Sequence, residues 1–130
     1  MNVAILGASN KPERYSYQAV KLLAEKGHSV FPVHPALAEI DGKPVFKRLT
    51  DILVALHTIT VYLGPERSSA LAEDLLASHA RRVIFNPGAE NPDLAQRLGS
   101  VGIETLNACT LVLLKTDQFD LPGTSDENLP

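Results

Sequence analysis

An α/β fold, one doubly wound domain built on a five-stranded, mostly parallel sheet, is what this sequence predicts, and three observations carry it. Short apolar runs at residues 3–6, 30–33, 58–63, 83–85 and 103–106 alternate with longer stretches of helical period, as buried parallel strands joined by crossover helices do. The longer stretches carry apolar stripes that can cover a sheet face: Ala19, Leu22 and Leu23, then Leu71, Leu75 and Leu76, then Leu94, Leu98 and Val101. With 130 residues, 45% of them hydrophobic, the chain can build one well-buried core and not two.

The punctuation along the chain agrees. Gly7 follows the first apolar run at a strand-to-helix turn, and Gly27 and Gly102 stand where the first and third stripes should stop. Residues 39–46 read as a turn followed by an extended piece, and Thr50-Asp51 is expected to cap a short helix over residues 52–56. Asn91-Pro92 reads as a helix start, with Asn91 capping free amides and Pro92 at the first helical position. After Lys115 the chain turns acidic and rich in breakers, so the expected organisation is a domain at 1–115 and a disordered acidic tail at 116–130. Right-handed crossovers then predict the strand order 3-2-1-4-5.

Composition excludes several functions. A net charge of -3 gives no general attraction to nucleic acid or an anionic membrane, and no apolar run approaches the roughly 18 residues that span a bilayer. The chain opens on Asn2-Val3-Ala4-Ile5-Leu6 without a charged leader, so a cytoplasmic location is expected. Cys109 is the single cysteine, which leaves no internal disulfide and no cysteine cluster for zinc. Neither a Gly-x-Ser-x-Gly elbow nor a His-Glu-x-x-His helix occurs, and no catalytic set is assigned. Glu90 reads as part of a turn, and Cys109 as a small hydrophobe at the start of a short helix.

Ligands of such sheets bind beyond the carboxyl ends of the strands, which selects residues 7–16, His34-Pro35, Gly64-Pro65 and residues 86–90. In the first loop only Gly7 matches a dinucleotide fingerprint, but Ala8, Ser9 and Asn10 can still aim amide groups at a phosphate. NAD enzymes place an acid at the end of the second strand to hold the ribose; this chain has His34 there, with Lys11, Arg14 and Lys43 able to favour a ribose phosphate. Both coenzyme A and NADP carry such a phosphate. His28, His57 and His79 precede strands and fall at the opposite edge.

Taken in order, Val3-Ala4-Ile5-Leu6-Gly7-Ala8-Ser9-Asn10, then Pro12, Arg14 and Ser16-Tyr17, then Val30-Phe31-Pro32-Val33-His34-Pro35, Ile40-Asp41-Gly42, Phe85-Asn86-Pro87-Gly88 and Cys109 resemble the small bacterial CoA-binding proteins. Their Rossmann-like CoA-binding domain is shared with the amino-terminal domain of the succinyl-CoA synthetase alpha subunit. The resemblance implies that Gly7, Ala8, Ser9 and Asn10 face the CoA phosphates with Arg14 close by. It also implies that the His34-Pro35 turn borders the adenosine end, and that Gly64, Asn86, Pro87 and Gly88 line the rest of the cleft. Many relatives have Asn at the place of His34 and an Arg near Leu63. The function implied is a stand-alone, non-enzymatic protein that holds CoA or an acyl-CoA for sensing, carriage or regulation, with a homodimer left open. The alternative is a small NAD(P)-dependent oxidoreductase whose substrate site is shared across a dimer.

Overall fold

The computed structural model describes residues 1–120. In chain order the elements are β1 (Asn2–Leu6), α1 (Tyr15–Glu25), β2 (Ser29–Val33), β3 (Glu39–Ile40), β4 (Lys43–Pro44), a single 3-10 turn (Leu49–Asp51), β5 (Thr58–Val61), α2 (Pro65–Ala70), α3 (Ala72–Leu76), β6 (Arg82–Phe85), α4 (Pro92–Ser100), β7 (Glu104–Asn107) and α5 (Thr110–Lys115). The main sheet runs β2-β1-β5-β6-β7 with every pair parallel, and β3 and β4 form a small antiparallel hairpin.

The doubly wound α/β class is as expected, whereas the strand order is not 3-2-1-4-5. Numbered by the five predicted strands, it is 2-1-3-4-5, because β5 pairs with β1 and leaves β2 at the edge. Pro32 sits inside β2 and has no N–H to give to a neighbour, which suits an edge and not the interior of a sheet. The free side of β2 is closed by Phe46, whose N–H donates to Pro32 O and whose carbonyl accepts from His34 N–H, both at 2.9 Å.

Alternation along the strands sends side chains to two cores. Ala4, Leu6, Ile59, Val61, Val83 and Phe85 pack beneath α3 and α4 with Leu75, Leu94 and Leu98, while Val3, Ile5 and Ile84 pack beneath α1 and α5 with Val20, Leu23 and Leu114. An Arg48–Asp74 pair, 2.7 Å from Nη2 to Oδ1 and 3.3 Å from Nε to Oδ2, fastens the 3-10 turn to α3.

Local expectations meet mixed outcomes. Asn91 caps α4 as its sequence suggests, accepting Leu94 N–H at 3.2 Å. The helix expected over residues 52–56 does not form: Asp51 accepts Arg48 N–H at 3.3 Å to close the preceding 3-10 turn, and Ile52 continues in extended conformation. Of the second stripe, Leu71 stands at the break between α2 and α3 and Leu75 and Leu76 lie in α3, and Val101 lies exposed past the end of α4. Phe119, in the stretch read as tail, is 2% exposed and packs in the second core, with the Arg82 guanidinium 4.6 Å from its ring centre. Residues 121–130 of that stretch lie outside the described residues.

His28 and His57 stand at the amino ends of β2 and β5, as the sequence placed them. Burial lowers the pKa of each; the amino terminus adds to the effect at His28 against an opposing Asp120, and Arg82 and Arg81 add to it at His57. The unfolded chain therefore takes up these protons more readily than the folded one. Both histidines contribute full stability above the ordinary value of 6.5 and lose it as the pH falls from there toward their lowered values. Urea unfolding between about pH 7 and about pH 5 should show the loss. The double variant His28→Gln/His57→Gln is expected to flatten that slope, and an unaltered slope would place the dependence elsewhere.

Candidate functional site

The site grows from the end of β1. Gly7 has φ +89, a backbone geometry that favours glycine, and a Cβ on it would stand 2.8 Å from Leu63 Cδ2 and push that side chain aside. Ala8 is buried and its N–H donates to Val33 O at 3.3 Å, which ties the turn to β2. Ser9 Oγ accepts Lys11 N–H at 3.1 Å, and Arg14 N–H donates to Lys11 O at 2.9 Å, so the loop folds on itself before α1 begins.

The start of α1 is left open. Arg14 occupies the cap position with extended backbone and makes no side-chain capping bond, and the first turn contains no acid. The first-turn amides and the positive end of the helix dipole are thus available to an anion. Arg14, Tyr15 and Ser16 line a cleft of about 970 Å3 that this helix end opens into.

That cleft lies at the β1/β5 boundary, where α1 leaves toward one face of the sheet and α2 and α3 toward the other. It brings together Gly7, Ala8, Ser9, Asn10, Lys11, Arg14, His34 and Pro35, all named from the sequence. Gly64 falls between the lining residues Leu63 and Arg67 without forming wall itself, and Asn86, Pro87 and Gly88 do not line the cleft. Asn86 is 2% exposed and its side chain is spent inside the protein: Nδ2 donates to Thr60 Oγ1 (2.7 Å) and Val61 O (2.9 Å), and Oδ1 accepts Thr110 N–H (2.8 Å). Glu90 accepts Gly88 N–H at 2.9 Å, the turn role read from the sequence.

Lys47 and Arg67 line the cleft without having been singled out from the sequence. Lys47 is an ordinary lysine in sequence and arrives because Phe46 is clamped to the edge of β2. Arg67 did carry a signal, since it stands on the first turn of a helix that starts at one of the selected loops, Gly64-Pro65. With Lys11 and Arg14 they set cations from two loops and the start of α2 around the cleft, against Glu13 as the carboxylate of the wall.

Two further lining groups are turned away from ligand chemistry. His34 Nδ1 accepts the N–H of Ala36 (3.0 Å) and of Leu37 (3.1 Å), closing the turn after β2. Tyr62 offers its ring to the cleft while its hydroxyl is buried beside Thr60 and Thr110 without a hydrogen bond of good geometry, and burial raises its pKa. Tyr62→Phe is therefore expected to change the unfolding free energy by no more than about 0.5 kcal/mol, because it removes a hydroxyl that satisfies nothing. A loss above about 1.5 kcal/mol in urea melts would show that the hydroxyl does hold a partner. Among the described residues no group of three or more His, Cys, Asp and Glu side chains could hold a metal, and no helix is long and apolar enough to cross a membrane.

Fold and cleft together define a Rossmann-like domain with a basic, helix-capped pocket at the switch point of its sheet. The chain belongs to the CoA binding domain family, whose model matches residues 1–115. It is 26% identical over 100 residues, 77% of this chain and 74% of the relative, to the uncharacterized protein YneT of Bacillus subtilis (strain 168). A solved structure described as an uncharacterized protein superposes with a TM-score of 0.85 at 34% identity, covering 91% of this chain and 97% of the other. The dinucleotide-forming acetyl-coenzyme A synthetase 1 of Ca. Korarchaeum cryptofilum (apo form) superposes with a TM-score of 0.72 at 17% identity, over 81% of this chain and 25% of that longer one, a likeness of fold.

Proposed function

We propose that the protein binds CoA or an acyl-CoA in this cleft and acts as a stand-alone carrier, sensor or regulator without chemistry of its own. The observation that carries the reading is the uncapped start of α1 opening on a pocket ringed by Lys11, Arg14, Lys47 and Arg67. A helix end of this kind suits a pyrophosphate, with Ser9 and Asn10 beside it, and the surrounding cations suit further phosphate. Apolar wall from Leu6, Val33, Leu37, Leu63 and Leu71 suits the uncharged parts of the ligand.

The absence of a catalytic role is supported by how the titratable wall groups are used. His34 Nδ1 holds a turn and the Tyr62 hydroxyl is buried with a raised pKa, so neither is placed as a general base. Bound CoA would supply a thiol, and the residues of this chain would bind and orient its phosphates.

Thermal unfolding with CoA, dephospho-CoA, NADH and NADPH tests the reading. CoA is expected to raise Tm most, dephospho-CoA less, and the nicotinamide nucleotides least. Equal shifts for CoA and dephospho-CoA would remove recognition of the ribose phosphate. No shift with either would sink the proposal.

A further inference from the structure

We infer that Asn91, which is not part of the cleft wall, is a positioning residue for the ligand site: its side chain holds α2 from behind and so fixes the helix face that carries Arg67. The inference rests on the CoA reading of the cleft and deepens it.

Little else within α2 holds that helix in place. Six residues are too few for a helix to stand alone in water, its Gly64 cap makes no side-chain hydrogen bond, and its buried residue is a serine, Ser68. Two faces of it are in use. Arg67 and Ala70, with Leu71 just past the end, are spaced three and four apart and line the cleft. Pro65, Ser68 and Ser69 have the same spacing and meet Asn91 on the other side. There Asn91 Nδ2 donates to Pro65 O at 3.1 Å, to Ser68 Oγ at 2.9 Å and to Ser69 Oγ at 2.9 Å. Two amide hydrogens are shared among three acceptors, so this end of the side chain has no donor to spare.

At its other end, Oδ1 accepts Leu94 N–H at 3.2 Å and caps α4. One planar amide therefore ties the start of α4 to the back of α2, and both Asn91 and Ser68 are buried. An apolar contact would let a short helix roll, whereas directed bonds at three of its positions set its rotation as well as its distance. The segment after β6 thus takes part in the site through α2, although Asn86, Pro87 and Gly88 do not line the cleft.

Two measurements on the full chain test the inference. Asn91→Ser keeps a side-chain oxygen for the α4 cap but is too short to bridge to α2. In the ligand-free variant, hydrogen exchange should stay slow at Leu94 and speed up at Ser68 and Leu71, whose amides donate to Gly64 O and Ser68 O at 3.0 Å. Unchanged exchange at Ser68 and Leu71 would overturn the tether. In CoA titrations well below the melting temperature, Asn91→Ser should weaken binding about 5-fold in the wild-type background and by less than about 2-fold in an Arg67→Ala background, where the cation it positions is already gone. Ser68→Ala/Ser69→Ala, which leaves the α4 cap complete, should show the same coupling to Arg67 from the other side of the tether. Equal losses in the two backgrounds, or no loss in either, would overturn the positioning role. If the wild-type chain binds no CoA, the CoA reading and the positioning role both fail, and the exchange rates still decide whether Asn91 holds α2.

Discussion

Replacing Asn86 by alanine is expected to lower the free energy of unfolding by about 3 kcal/mol, a fall in Tm on the order of 10 °C, with the fold retained. The side chain is buried and ties β5 to the start of α5: it reaches Thr60 and Val61 of β5 through its amide hydrogens, and the first amide of α5 at Thr110 through its oxygen, beside the direct Thr60–Thr110 hydroxyl contact of 2.7 Å. Alanine leaves the Thr110 N–H without its partner in a site closed to water, while Val61 O keeps the backbone N–H of residue 86 at 3.2 Å. Leaving a buried polar group unpaired costs about 1–3 kcal/mol, and the small cavity adds to that. Because Asn86 stands outside the cleft, ligand affinity measured well below the melting temperature should change by less than about 3-fold, the size of coupling expected between sites that share no partner. An affinity loss comparable to that of a cleft variant would mean that Asn86 reaches the ligand.

The second large effect concerns ligand affinity. Lys47→Ala/Arg67→Ala is expected to weaken CoA binding by about 100-fold at low salt, since each substitution removes a cation able to pair with phosphate. The deficit should shrink as ionic strength rises, because both side chains are exposed and their fields are screened. Arg97→Ala is the control: Arg97 is also an exposed cation, but it pairs with Glu73 at 3.2 Å and is not part of the cleft wall, so titration calorimetry should find its affinity unchanged. A double variant that binds like the wild type would remove the electrostatic part of the account.

Much of this fold can be read in the sequence because buried parallel strands must be apolar over most of their length. The runs beginning at Val3, Val30, Thr58, Val83 and Ile103 all became strands of the main sheet, with ends displaced by no more than two residues. Strand order was harder, since apolar runs do not say which neighbours they take. The one local clue was Pro32, which cannot serve as a ladder donor and so belongs to an edge strand.

The site divides in the same way. The Gly7-Ala8-Ser9-Asn10 loop was legible because it directly follows a strand at the ligand-binding edge. Lys47 and Arg67 were not, because long-range packing of Phe46 on β2 and the start of α2 bring them there. Asn86 has the sequence setting of a ligand loop, and only the packing of α5 over β5 and β6 turns its side chain inward. His34 was located correctly at the edge, yet the use of its Nδ1 to hold the following turn depends on the conformation of the next three residues. Phe119 was read as tail because acidic and breaker residues surround it, while its ring fills the second core against Arg82 and His28.

Residue-resolved amide NMR during a titration with CoA tests the central claim most directly. The account predicts saturable shifts at the amides of Ser9, Asn10, Tyr15, Ser16 and Tyr17, joined by those of His34, Lys47 and Arg67, while Gly88 and Glu90 stay in place. Saturable binding that moves Gly88 and Glu90 and leaves the start of α1 unperturbed would contradict it, as would the absence of any shift at millimolar CoA.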